Sequence, residues 1–254
     1  FARPASSANS RTRCAARYKS CAGLTSISIP STVTKLGNDA FSNCTGLTSA
    51  LISNNVMVNY SVFLNCTNLT NVTISEGVEK IQYSMFYNCT ALNNISIPTS
   101  VKYISDSAFY GCRSLTNISV PGCITIGKSS FAGCTGLSSI SIPNVNFIDE
   151  NAFADCSSLM SISIPNSIKA INNGVFSGCA NLTNVSIPNS ITSIGTNSFY
   201  GCSKLSSMYF YGNAPTTIGQ VFYNCASNFK IYYIDGKTGW TNPWNGIVTE
   251  TFIP

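Results

Sequence analysis

The sequence predicts a repeat solenoid, a rod of stacked parallel β-coils, on three observations. Ten cysteines, Cys21, Cys44, Cys66, Cys89, Cys112, Cys134, Cys156, Cys179, Cys202 and Cys225, recur at intervals of 22 or 23 residues without exception. Between them one template returns, clearest from Cys89 to Cys112, with apolar residues at Leu92, Ile95, Ile97, Val101, Ile104 and Phe109. The composition is that of a folded chain: 44% of the 254 residues are apolar and 9% charged, against about 25% charged in an average soluble domain. A fixed period of this length marks architectures whose single unit cannot bury its apolar side alone and must stack on its neighbours.

Composition also removes several classes of function. No apolar run reaches the roughly 18 to 20 residues of a membrane span, so no membrane insertion is expected. The chain contains no histidine, which excludes Ser-His-Asp and Cys-His nucleophile systems, HExxH zinc sites and Cys/His fingers. Of 14 basic and 9 acidic residues, Arg3, Arg11, Arg13, Arg17 and Lys19 fall in the first nineteen positions with no acid among them, leaving 9 against 9 in the rest. A neutral body lacks the clustered Lys and Arg that phosphate backbones require, and no nucleic-acid partner is expected.

In chain order, residues 1–20 form a basic, poorly patterned segment. It reads as a solvated tail, with an anionic surface as the other reading. Because the chain starts at Phe1 with neither an initiator Met nor a signal-peptide pattern, processing or trimming from a longer protein is expected. The half-coil Arg13 to Cys21 keeps Tyr18 in the Phe place but loses the rest of the template, so a weak or missing N-terminal cap is expected.

Residues 21–225 are the solenoid. Leu-x-x-Ile-x-Ile is a short strand of period two, the following Pro ends its ladder pairing, and Val-x-x-Ile begins a return limb. Nine coils at the inter-strand spacing of about 4.8 Å give a rod of roughly 45 Å. Phe41, Phe63, Phe86, Phe109, Phe131, Phe153, Phe176, Phe199 and Phe222 then form an aromatic spine. The residue before each cysteine from Cys44 onward is Asn43, Asn65, Asn88, Gly111, Gly133, Asp155, Gly178, Gly201 or Asn224, the three types that best tolerate left-handed backbone. Positive φ is expected at each of these corners. The repeats ending at Cys66, Cys134 and Cys156 are one residue short, and Cys123 takes the slot that Val145 fills one coil later, a buried position. Residues 226–254 read as an aromatic C-terminal cap, with a final strand over Phe229 to Tyr233 followed by Gly239-Trp240 and Pro243-Trp244-Asn245-Gly246.

The unit Cys-x-x-Leu-x-x-Ile-x-Ile-Pro-x-x-Val-x-x-Ile-x-x-x-Ala-Phe-x-x-Cys resembles the BspA-type leucine-rich repeat over about residues 18–225. The ending, Phe210-Tyr211-Gly212-Asn213-Ala214-Pro215 and then Gly239-Trp240, is similar to the end of such arrays. The resemblance implies a leucine-rich repeat right-handed coil with a parallel β-sheet on its concave face. It further implies secreted or surface-anchored proteins of anaerobic bacteria and some parasitic protists, commonly assigned to adhesion to host matrix proteins or other cells. The recurring residues are structural, so the resemblance names no ligand. No anchor or sorting segment is evident in the sequence.

In such a coil the strand positions between the buried ones face the concave side. Five places after each cysteine stand Ser26, Ser49, Asn71, Asn94, Asn117, Ser139, Ser161, Asn184 and Ser207; seven places after it stand Ser28, Leu51, Thr73, Ser96, Ser119, Ser141, Ser163, Ser186 and Tyr209. This uncharged grid of hydroxyls and amides reads as a hydrogen-bonding surface for a glycan or an extended polypeptide, with Leu51 and Tyr209 as apolar anchors. The competing reading is that small polar residues merely solvate the sheet. Tyr87, Tyr110, Tyr200 and Tyr223 directly follow spine phenylalanines and offer a second surface, or simple edge packing.

Stacked cysteines with parallel Cβ vectors do not meet disulfide geometry, which needs converging Cβ atoms about 3.8 Å apart. The ladder is therefore expected to be buried free thiols, with Cys14 and Cys21 as the one plausible bridge. No Cys-x-x-Cys pair occurs, and neither metal nor cofactor is expected. Asp149, Glu150 and Asp155, or Glu76 and Glu79, are the only close carboxylates in sequence, and no cleft is evident for the paired-acid chemistry of a glycosidase, so no enzyme is expected. Ten Asn-x-Ser/Thr sequons occur, generated by the repeat itself. The leading expectation is an extracellular or cell-surface adhesion module recognising host or partner-cell protein or glycan. The alternatives are a passive spacer and a scaffold that self-associates through an exposed N-terminal strand, Leu24 to Ile29.

Overall fold

The structure, a computed structural model, describes residues 19–27, 29, 33–54 and 56–253. Expectations for Arg3, Arg11, Arg13, Arg17, Tyr18, Cys14 and Ser28 lie outside these residues, whereas Lys19 of the basic arm is described and pairs with Asp39 at 3.6 Å. The described chain is a parallel-strand β-solenoid of about nine turns with no helix. Each turn has a first limb, a return limb and a corner that carries the spine phenylalanine.

First-limb strands follow the alternation of the template. In Ser49–Ile52 the residues Ala50 and Ile52 point inward and are buried, while Leu51 is exposed. The strands Ser26–Ile27, Ser49–Ile52, Asn71–Ile74 and Asn94–Ser96 pair in parallel with one-to-one register, Ser49 opposite Asn71 and Asn71 opposite Asn94. Asn117–Ser119 pairs with Ser139–Ser141, and Asn184–Ile187, Ser207–Phe210, Lys230–Ile234 and Thr249–Phe252 form a further parallel sheet. The expected single sheet is thus divided, and Ser161–Ile164 forms no strand at all. The final strand anticipated over Phe229 to Tyr233 is Lys230–Ile234, and it is followed by a parallel partner, Thr249–Phe252, that the sequence reading did not contain.

Return limbs are two-residue strands such as Lys80–Ile81, Tyr103–Ile104, Thr125–Ile126 and Phe147–Ile148, again parallel and in register. The second residue of each is buried; the first faces outward.

The spine is continuous. Eight consecutive ring pairs from Phe41 to Phe222 stack with centroids 5.2 to 5.9 Å apart and interplanar angles of 4° to 25°. Offset stacking at this separation adds about 0.5 to 1.5 kcal/mol per pair beyond burial. Backbone bonds hold the rings in step: Phe109 N–H donates to the Ser130 carbonyl at 2.7 Å and Phe131 N–H to the Ala152 carbonyl at 2.9 Å. All nine corner residues preceding the cysteines have positive φ, from 54° at Asn88 to 72° at Gly178 and Gly201. At Gly122 the demand is close approach: a Cβ there would collide with the Thr99 carbonyl of the preceding coil.

Nine cysteines, including Cys123, are buried free thiols, while Cys21 and Cys225 at the ends are half-buried. Each ladder thiol from Cys66 to Cys202 donates to the carbonyl of a phenylalanine one coil back, Cys112 Sγ to Phe86 at 3.1 Å and Cys156 Sγ to Phe131 at 3.2 Å among them. Burial, the largest cause, pushes Cys66 and Cys134 up to about 12 and Cys123 up to about 11. A protonated, inaccessible thiol is a poor nucleophile. Brief alkylation of the native protein is therefore expected to leave these nine cysteines unmodified, as read by mass spectrometry, whereas unfolding exposes them all; native labelling of most of the ladder would remove it from the core.

Candidate ligand-binding face

The first-limb strands place the two outward columns side by side, because period two sends every second residue out. In the first column Ser26, Asn71, Asn94, Asn117, Ser139, Ser161 and Asn184 are exposed, and Ser49 and Ser207 half-buried. In the second, Leu51, Thr73, Ser96, Ser119, Ser141, Ser163 and Ser186 are exposed and Tyr209 half-buried. The grid thus forms an accessible face, with breaks in pairing between Asn94–Ser96 and Asn117–Ser119 and at Ser161–Ile164.

Part of that polarity is spent within the protein. Asn94 Nδ2 donates to Asn71 Oδ1 at 3.0 Å, and Ser139 Oγ donates to Asn117 Oδ1 at 2.7 Å. Such links between coils are what the solvation reading requires. The seven-place column has no side-chain hydrogen bonds from Ser96, Ser119, Ser141, Ser163 or Ser186, whose hydroxyls remain directed to solvent.

Toward the C-terminal end the face turns aromatic. Tyr209 stacks on Tyr232 at 5.0 Å, and Phe252 meets Tyr209 and Tyr211 edge-on at 5.5 and 5.6 Å. Sequence reading found Tyr209 but missed Tyr232 and Phe252, because their strands depart from the template. Behind them Trp240 and Trp244 pack on Phe210 at 4.9 and 5.8 Å, and Trp244 on Phe222 at 6.1 Å.

The edge tyrosines form two separate stacked pairs, Tyr87 with Tyr110 at 4.7 Å and Tyr200 with Tyr223 at 5.7 Å. Coils between them carry Ala132, Ala154 and Ser177 at that position, so no continuous aromatic edge results. A further set of exposed rings and Met side chains went unread on the return limbs: Met57, Tyr60, Tyr83, Tyr103 and Phe147. For Met57, Tyr103 and Phe147 the visible signal was a large residue directly before the buried Ile or Val of the limb, whereas Tyr60 and Tyr83 stand two residues after it.

Three of the five acidic residues singled out by sequence take structural bonds. Glu150 accepts from Lys128 Nζ at 2.8 Å and Asn173 Nδ2 at 3.0 Å, and the Lys128 hydrogen bond holds its carboxyl below the usual range. Asp149 accepts from the Glu150 N–H, and Glu76 from Thr99. Among the described residues no group of three or more His, Cys, Asp or Glu is placed to hold a metal ion, and no helix is long and apolar enough to cross a membrane.

The family model described as the BspA type leucine-rich repeat region matches residues 14–135 and 124–238 in six copies. Among solved structures, a leucine-rich repeat protein from Bacteroides ovatus is 27% identical, with a TM-score of 0.66, over 90% of this chain and 69% of its own. The T. pallidum leucine-rich repeat protein is 28% identical, with a TM-score of 0.56, over 62% of this chain and 78% of its own. No curated protein sequence matches. The cysteine period, the stacked coils and the family match agree: this chain belongs to the BspA-type leucine-rich repeat family.

Proposed function

We propose that the chain is an extracellular or cell-surface adhesion module that recognises a protein or glycan of a host or partner cell through its first-limb face. Leucine-rich repeat scaffolds of this family are in general non-catalytic and protein-binding, which supports the class of function. The observation that carries the reading is the uncharged hydroxyl column from Ser96 to Ser186, free of internal side-chain bonds and leading toward the Tyr209, Tyr232 and Phe252 cluster. Small hydroxyls make poor individual hot spots, whereas aromatic rings make good ones. The reading therefore combines weak repeated contacts with one aromatic end, and affinity grows by multivalency.

Ser119→Arg combined with Ser141→Arg introduces bulk and charge in the middle of this face without touching the core. Surface plasmon resonance against immobilised matrix proteins and a glycan panel is expected to give a saturable hit that the double variant weakens at least ten-fold, at unchanged melting temperature. Silence of the unmodified chain across the whole panel would instead support a spacer or self-associating scaffold.

A further inference from the structure

Where the seventh coil loses its strand pairing, the face opens into a groove of about 530 Å³ bordered by Ser163, Asn166, Ser186, Asn189 and Tyr211. Ser161–Ile164 reads Ser-Ile-Ser-Ile, identical to Ser139–Ile142, and Ile162 and Ile164 are buried like their counterparts. Yet this segment makes no backbone hydrogen bond to the coil on either side.

The side chains around it are uncommitted as well. At the corner after the first limb, other coils tie the residue following proline to a neighbour: Asn144 Nδ2 donates to the Pro121 carbonyl at 2.7 Å, and Thr99 Oγ1 donates to Glu76 Oε1 at 3.3 Å. Asn166 and Asn189, at the same corner of successive coils, have no hydrogen-bond partner, nor do the hydroxyls of Ser163 and Ser186. Four adjacent amide and hydroxyl groups thus face one opening with their bonding capacity intact.

Tyr211 supplies an apolar wall. It occupies the place held by Pro165 and Pro188 in the two preceding coils, so a ring projects where those coils have none. Gly212 lets that coil sit against Asn189, since a Cβ there would come within 2.9 Å of the Asn189 backbone. Phe252 braces the ring edge-on at 5.6 Å, leaving Tyr211 38% exposed.

From this arrangement we propose that the groove seats a short segment of a neutral glycan, a proposal that rests on the adhesion reading and gives it a location. No charged residue lines the groove, so an anionic or cationic ligand would find no counter-charge to offset its desolvation. An extended peptide needs a free strand edge for main-chain pairing, and Ser161–Ile164 is flanked by a coil on both sides. A neutral sugar has what the groove lacks: an apolar C–H face for the Tyr211 ring and several hydroxyls for paired amides and serines.

The test uses the whole chain and a printed panel of neutral oligosaccharides built from glucose, galactose and mannose, followed by calorimetric titration with the strongest binder. Tyr211→Ala is expected to weaken binding at least ten-fold, and Asn166→Ala with Asn189→Ala similarly. Tyr211→Phe keeps the ring and should stay within about three-fold, which separates loss of the wall from loss of folding. Tyr103→Ala with Phe147→Ala, exposed on the return limbs and outside the first-limb face, should leave glycan affinity unchanged. Glycan binding abolished by Ser119→Arg with Ser141→Arg but indifferent to Tyr211→Ala would overturn the groove while leaving the face reading intact. So would binding of a matrix protein with no neutral glycan bound. Failure of every probe would overturn both.

Discussion

Phe131→Ala is expected to cost about 3 to 5 kcal/mol, the usual range for a buried phenylalanine truncated to alanine. The ring is fully buried and stacks on both sides, on Phe109 at 5.2 Å and Phe153 at 5.6 Å. Collapse around the void is restricted, because the corner N–H of Phe131 is tied to the Ala152 carbonyl at 2.9 Å and that of Phe109 to Ser130 at 2.7 Å. The cavity therefore persists, and its cost adds to the lost transfer energy. A solenoid has only neighbour-to-neighbour coupling, so a defect at its centre weakens the one interface joining its two halves. Denaturant unfolding followed by circular dichroism is expected to lose its single transition and show two. The same substitution at Phe222, which has a single spine neighbour, Phe199 at 5.9 Å, should cost less and leave one transition. A change below about 1 kcal/mol at Phe131 would mean that the spine is not the core.

Much of this molecule was legible because each constraint is stated many times over. The cysteine period, the buried phenylalanines and the left-handed corner before each cysteine are the same physical demand repeated in nearly every coil, and residue types reveal it directly. A second left-handed corner was not read. Asp39, Ser61, Ser84, Ser107, Ser129, Asn151, Gly174 and Asn197, four residues upstream of the first, also have positive φ. Serine is no left-handed former by itself; what holds it there is a bond to the next coil, Ser61 N–H to the Tyr83 carbonyl at 2.9 Å and Ser107 N–H to Lys128 at 2.9 Å. Strain of order 1 kcal/mol persists where surrounding structure fixes the backbone. The break at Ser161–Ile164 was equally invisible, since its four residues are the same as those of a paired strand. Pairing is decided between coils, and a single coil's sequence does not contain it. The amides beside that break were visible as Pro165-Asn166 and Pro188-Asn189, but only the neighbouring bonds distinguish them from Pro143-Asn144.

Raising the pH above about 8.5, where an unfolded cysteine titrates, is expected to unfold the protein, and the thiol ladder sets the direction and the steepness. An unfolded cysteine titrates near 8.5. Burial pushes the folded thiols above this, Cys66 and Cys134 to about 12, Cys123 to about 11, and Cys89, Cys112 and Cys156 well upward too. Between those values the unfolded chain releases protons that the folded chain keeps. The stabilising contribution is complete below about pH 8.5 and disappears as pH rises toward 12, at about 1.4 kcal/mol per pH unit for each thiol. Eight thiols from Cys66 to Cys202, Cys123 included, are wholly buried, so together they remove on the order of 10 kcal/mol per pH unit. That equals the entire stability of an ordinary domain, about 5 to 15 kcal/mol. Few of them can ionise singly inside the rod, since seven of the eight hold their proton on a phenylalanine carbonyl of the preceding coil and Cys123 holds its own on the Thr125 carbonyl. Thiolate absorbance and far-ultraviolet circular dichroism should therefore change together in one steep transition. Replacing Cys89, Cys112 and Cys134 by alanine removes three of the eight and should flatten the pH dependence by about a third, while lowering stability at neutral pH through the lost bonds. Thiolate signal rising near pH 8.5 ahead of any loss of structure would put the ladder in solvent, and a fold intact beyond pH 11 would show that its burial contributes far less than the geometry requires.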